Sequence, residues 1–113
     1  MSYLKTYRKK GGLTQDEVAF LLGCESGTKI SRFEHLARQP NLETALACQI
    51  VFGIPAHKIF PSVFAEVEET VTGRARLLSD RLRAQKGSPV LRHKLAILKT
   101  IGAEKRERLS NNQ

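Results

Sequence analysis

The sequence predicts an all-α protein, with five short helices in one compact unit and two longer helices after it. Three observations carry that prediction. Apolar residues recur at helical spacing through most of the 113 residues, as in helices with one buried face. No stretch alternates apolar with polar residues, and no Asn-Gly or Asp-Gly hairpin turn occurs, so strands lack support. Caps and glycine stops punctuate the chain where such helices should begin and end.

The first helix is expected from about Ser2 to Lys10, with Leu4 and Tyr7 inward and Gly11-Gly12 closing it. Glycine accepts the left-handed backbone that ends a helix. Thr14-Gln15-Asp16-Glu17 reads as a capping box opening the second. There the Thr14 hydroxyl takes a backbone N–H and Glu17 reaches back. Val18, Leu21 and Leu22 form its expected buried stripe, and Gly23 its stop. The third runs from near Ser26 or Gly27 to His35, with Ile30 and Phe33 inward, and a loop from Leu36 to Pro40 follows. Asn41 caps the fourth, whose inward residues are expected to be Leu42, Ala45, Leu46 and Phe52 before Gly53 ends it. Pro55 opens a short fifth helix that ends at Phe60-Pro61.

After Pro61 the texture changes, which divides the chain into residues 1–61 and 62–113. Ser62 to about Lys86 reads as one long helix with the stripe Phe64, Val67, Val71, Leu78 and Leu82. Its acidic start (Glu66, Glu68, Glu69) and basic end (Arg81, Arg83, Lys86) suit the helix dipole. Gly73 weakens it by ~1 kcal/mol. Gly87-Ser88-Pro89 combines a stop, a cap and a first-turn proline. The last helix carries Leu91, Leu95, Leu98 and Ile101, and the charged tail from about Glu104 is expected to fray.

Charge narrows the partners. Nineteen Lys and Arg against eleven Asp and Glu give a formal net charge of +8, which favours polyanions such as nucleic acid or an anionic surface. Residues 1–61 hold eight basic and five acidic residues, and the remainder eleven and six. The basic excess therefore does not locate a binding face. Cys24 and Cys48 lie within apolar helical patterns without a CxxC, so they read as buried free thiols in a reducing compartment. Met1 to Lys5 lacks an export segment, and no apolar run approaches the ~18 residues of a membrane span. His35, His57 and His93 are scattered without metal-ligand spacing. With no phosphate loop or nucleophile motif, no catalytic residue, metal or cofactor is expected, and the protein is not read as an enzyme.

The informative stretch is Leu13 to Gly23 followed by Ile30-Ser31-Arg32-Phe33-Glu34. It describes two short helices joined by a tight turn, with small Ala19 where they cross. Such a crossing lets the second helix project into a DNA major groove about 12 Å wide. These residues, with Arg8, Gly12, Arg38, Pro40, Leu42-Glu43-Thr44 and Phe52-Gly53-Ile54-Pro55, make Leu4 to Phe60 resemble the phage-repressor or xenobiotic-response-element (XRE) type of helix-turn-helix domain. The resemblance covers about half the chain and rests on many residues in order.

The resemblance implies a five-helix repressor-like domain that binds duplex DNA as a transcriptional regulator in a bacterial or phage-encoded setting. Such a protein is cytoplasmic and nucleoid-associated when bound. It implies that Thr28, Lys29 and Arg32 read bases, with Arg32 able to pair bidentately with guanine. It implies phosphate or positioning contacts from Gln15, Ser26, Gly27 and Arg38, and a structural ion pair between Arg8 and Glu34. Plainer roles stand beside these: Gln15 as a solvated first-turn residue, Arg32 as a partner of Glu25 or Glu34, Thr28 as a mere helix-start residue. Two departures bear on the assignments. Gly23 to Ile30 spans one position more than the family's commonest spacing, and Leu36 stands where the family usually has glycine.

A different class remains open: an antitoxin or accessory module that uses the same scaffold to bind protein. The C-terminal stripes could fold back on one another, pair with a second copy, or receive another protein. A homodimer is favoured, because such readers usually bind paired half-sites. The Arg74/Arg81 and Arg76/Arg83 pairs could also add a non-specific nucleic-acid grip, against which stands an ordinary solvated face.

Overall fold

The computed structural model describes residues 1–111, which form eight helices and no strand. The chain divides into two compact units, Met1–Ala65 and Glu66–Gln113.

The first unit holds α1 (Leu4–Lys10), α2 (Gln15–Leu22), α3 (Gly27–Glu34), α4 (Leu42–Phe52), α5 (Ala56–Ile59) and the start of α6 (Pro61–Arg83). Local chemistry sets the ends of these helices. Thr14 and Glu17 make the expected capping box: the Glu17 N–H donates to Thr14 Oγ1 at 3.1 Å and the Thr14 N–H to Glu17 Oε1 at 2.8 Å. Gly23 is left-handed at φ 72°. Its N–H reaches the Phe20 carbonyl while the Cys24 N–H reaches that of Ala19, which satisfies the last carbonyls of α2. Asn41 Oδ1 accepts from the Thr44 N–H at 2.8 Å, and Gln49 Oε1 from the Ala56 N–H at 3.0 Å. The latter supplies an acceptor to the opening of α5, which has no side-chain cap of its own.

The core of this unit is Leu4, Val18, Ala19, Ile30, Phe33, Cys48, Ile59 and Phe60, with Tyr7, Leu13, Leu22, Phe52, Ile54 and Val63 packed around it. Three residues expected inside are not. Leu21, Leu42 and Leu46 are exposed, as are Phe20 and Ile50. Helix α4 is apolar almost all round, so periodicity does not choose its face. The crossing with α2 and α5 buries Cys48 instead, with Ala45 and Phe52 half-buried.

In the second unit α6 continues, followed by α7 (Pro89–Thr100) and α8 (Ala103–Asn111). Ser88 Oγ accepts from the Leu91 N–H at 3.1 Å, with Pro89 in the first turn. Leu91 is buried and Leu95, Leu98 and Ile101 half-buried, as their spacing suggests. The burial of α6 departs from expectation. Its sheltered row is Glu68, Thr72, Ala75, Ser79 and Leu82, while Val67, Val71 and Leu78 stay exposed. The small side chains at 72, 75 and 79 lie on the covered face; of the expected stripe, Leu82 is buried and Phe64, near the start of the helix, half-buried.

The charged tail, expected to fray, is helical instead. Gly102 at φ 84° breaks the chain after α7, and α8 is fastened to α6 by charge. Arg108 Nη2 lies 2.7 and 2.9 Å from the two oxygens of Glu68, and Lys105 pairs with Glu69. The Lys105 ammonium holds the Glu69 carboxyl below its ordinary pKa.

Candidate nucleic-acid interface

A helix can present residues to a ligand only if its other face is fixed. In α3 that face is Gly27, Ile30, Phe33 and Glu34, all buried. Ile30 and Phe33 enter the core. Glu34 is tied by charge: its Oε2 lies 2.6 Å from Arg8 Nε, and its Oε1 accepts from Arg8 Nη2 at 3.4 Å. The Arg8 guanidinium also donates to the Leu13 carbonyl at 3.0 Å. The expected ion pair between α1 and the end of α3 is thus present and buried.

Gly27 fixes the other end. Its N–H donates to Asp16 Oδ1 at 2.9 Å. A Cβ at this position would stand 2.6 Å from that oxygen, 2.9 Å from Gln15 Cβ and 3.1 Å from the Asp16 nitrogen. Only a glycine lets α3 start this close to the first turn of α2. The residue expected near a phosphate is therefore buried, and its N–H is already engaged by Asp16. Nothing in the sequence pattern marks this contact except the glycine itself, in a first turn where a side chain would be ordinary.

The turn between α2 and α3 runs from Gly23 to Ser26. Ser26 holds the helix-start position in extended backbone, and its hydroxyl makes no cap hydrogen bond. Leu36 adopts φ 54°, the left-handed backbone that favours glycine. The loop therefore keeps the glycine-type turn, at a cost of about 1–2 kcal/mol for a residue with a Cβ. The Leu36 side chain packs against the core.

What remains outward forms one surface. Thr28, Arg32 and His35 are exposed along α3, with Lys29 and Ser31 half-exposed between them. Ser26 and Arg38 are exposed on either side in sequence. Arg32 forms no ion pair with Glu25 or Glu34. Gln15 has a role missed in the sequence: its Nε2 donates to Glu34 Oε1 at 2.9 Å. It thereby joins the start of α2 to the end of α3. Among the described residues no group of three or more His, Cys, Asp and Glu could hold a metal ion. Among the described residues no helix is long and apolar enough to cross a membrane.

Compared with known proteins, residues 4–59 match the family model described as helix-turn-helix. No curated protein and no solved structure matches the chain.

Proposed function

Since residues 4–59 belong to the helix-turn-helix family of the phage-repressor or XRE type, a family of DNA-binding regulators, we propose that this chain reads a specific duplex sequence by laying α3 in the major groove. The observation that carries the proposal is the division of α3 into a buried side locked at both ends and an outward side holding Thr28, Lys29 and Arg32. Arg32 reads a guanine edge, Lys29 and Thr28 contact neighbouring bases, and Arg38 and Ser26 hold the backbone. Gln15 contacts a phosphate with the amide hydrogen that Glu34 leaves unused, beside the first N–H groups of α2.

The protein acts as a homodimer in this proposal. Val67, Val71 and Leu78 support it as an exposed apolar row on α6, where burial in a partner contributes roughly 1.5–3 kcal/mol per side chain before entropy costs. A second reading, docking of another protein on the same scaffold, is favoured by the exposed row Leu42, Leu46 and Ile50 along α4.

Selection from a random duplex pool at two salt concentrations tests the proposal. Wild type should enrich a sequence with two half-sites about 34 Å apart. Arg32→Ala should cost ~1–3 kcal/mol and relax one base position. Equal losses on cognate and random DNA would remove Arg32 from base reading. If no sequence is enriched, protein docking becomes the better account.

A further inference from the structure

The second unit contains a cavity of about 210 Å³ walled by α6, α7 and the chain around α8. Part of its lining is apolar: Ala75, Leu95, Leu98 and Ile101. Its cations are Arg76 and Arg83 from α6, Lys99 from α7 and Arg106 from α8, beside the hydroxyls of Thr72 and Ser79 and one carboxylate, Asp80. Among the described residues none of these four cations lies within ion-pair distance of a carboxylate. Arg106 donates instead to the Lys99 carbonyl at 3.4 Å. A neighbouring hollow shares Arg83, Leu95 and Lys99 and adds Arg92. The same wall holds the Thr72 hydroxyl, whose oxygen is buried and has no hydrogen-bond partner among the described residues. It also holds a constraint, since a Cβ on Gly102 would come within 3.3 Å of Thr72 Cγ2 and 3.6 Å of Arg106 Nη1.

Like charges held around one concavity repel, and long side chains on a helix surface are free to turn apart or find carboxylates. Here four of them line the same hollow with no carboxylate at ion-pair distance among the described residues, although Arg76 also acts on Glu69 at longer range. That arrangement is complementary to one multiply charged anion, and guanidinium groups match the oxygens of a phosphate in charge and geometry. We propose that this cavity binds a phosphate group, carried by a small phosphomonoester whose remaining part lies against Leu95, Leu98 and Ile101. A DNA backbone phosphate offers the same oxygens. The cavity is concave and partly apolar, which suits a discrete ligand better than a rod of phosphodiesters. The proposal does not depend on which DNA sequence α3 reads.

The test uses the full chain in two arms. In the first, inorganic phosphate is titrated against chloride at matched ionic strength while thermal unfolding and binding heat are followed. A saturable rise in Tm is expected. An Arg76→Gln, Arg106→Gln variant should weaken phosphate binding on the order of tenfold or more, while Arg32→Ala should leave it unchanged. In the second arm the same variants bind random duplex at several salt concentrations, with a wild-type slope expected. If free phosphate does not bind but the double variant lowers the log–log salt slope by about 0.9 per lost contact, the phosphate site stands and DNA is its source. If wild type shows no saturable phosphate effect and the duplex slope is unchanged, the cavity is not a phosphate site. Far-UV circular dichroism confirms that the exposed substitutions leave the helices intact.

Discussion

Removing Glu34 should unfold the helix-turn-helix unit more readily than any surface change, and removing its partner as well should largely restore it. The Glu34 side chain is 1% exposed and that of Arg8 10%. Glu34→Ala leaves the guanidinium with the Leu13 carbonyl alone and strips Gln15 of its acceptor. Breaking a buried pair from one side costs about 3–5 kcal/mol, because an uncompensated charge stays buried. The slight opening at Arg8 argues for the lower end, about 3 kcal/mol. With a urea slope of ~1.5 kcal/mol/M, the midpoint falls by about 2 M. The double variant Arg8→Met, Glu34→Leu removes both charges and fills the space, so it should lie within about 1 kcal/mol of wild type. Urea unfolding followed at 222 nm reads the cycle of wild type, Arg8→Met, Glu34→Leu and the double variant, with Glu34→Ala beside it. A loss below about 1 kcal/mol for Glu34→Ala, or a double variant costing the sum of the singles, would refute the reasoning. The double variant should still bind DNA less well, since the bond that holds Gln15 to α3 is gone.

Three further outcomes follow from the geometry. Gly27→Ala should destabilise by about 1–2 kcal/mol, the steric cost of ~1–3 kcal/mol exceeding alanine's helix advantage of ~0.5–1; a variant as stable as wild type would show that α2 and α3 are less tightly apposed. Thr72→Val should stabilise by about 1 kcal/mol, because it replaces a buried hydroxyl without a partner by a methyl of the same shape; a lower Tm would mean the hydroxyl has a partner in solution. Burial, with a smaller contribution from Cys24, pushes the Cys48 thiol up to about 11. At pH 8 only about one molecule in a thousand carries its thiolate, so iodoacetamide should label Cys24 first and Cys48 only on unfolding; equal rates would contradict this.

The sequence spoke clearly wherever one residue acts on its own backbone. Thr14 with Glu17, Gly23, Asn41, Gly53 and Ser88-Pro89 each mark a helix end by chemistry local to a few positions, and the helices begin and end there. The Arg8–Glu34 pair was legible only through the family resemblance, because 26 positions separate its partners. Local patterns failed where a neighbour decides. LETALACQIVF offers apolar residues on every side, so the exposure of Leu42, Leu46 and Ile50 depends on what crosses α4. The α6 stripe failed likewise, since small Thr72, Ala75 and Ser79 outcompete larger Val67, Val71 and Leu78 for the covered side. Helix α8 has no apolar stripe to detect, and its fastening to Glu68 and Glu69 lies more than thirty positions upstream. Gln15 and Gly27 gave no warning of their contacts with Glu34 and Asp16, which exist only once the two helices cross.

The locking of α3 at both ends has a consequence for descent. Gly27, Ile30, Phe33 and Glu34 carry the helix's buried contacts with the fold, whereas the side chains of Thr28 and Arg32 are exposed. Exchanges at such exposed positions typically change stability by no more than ~0.5 kcal/mol. A lineage can therefore rewrite the outward letters one at a time without passing through an unstable ancestor.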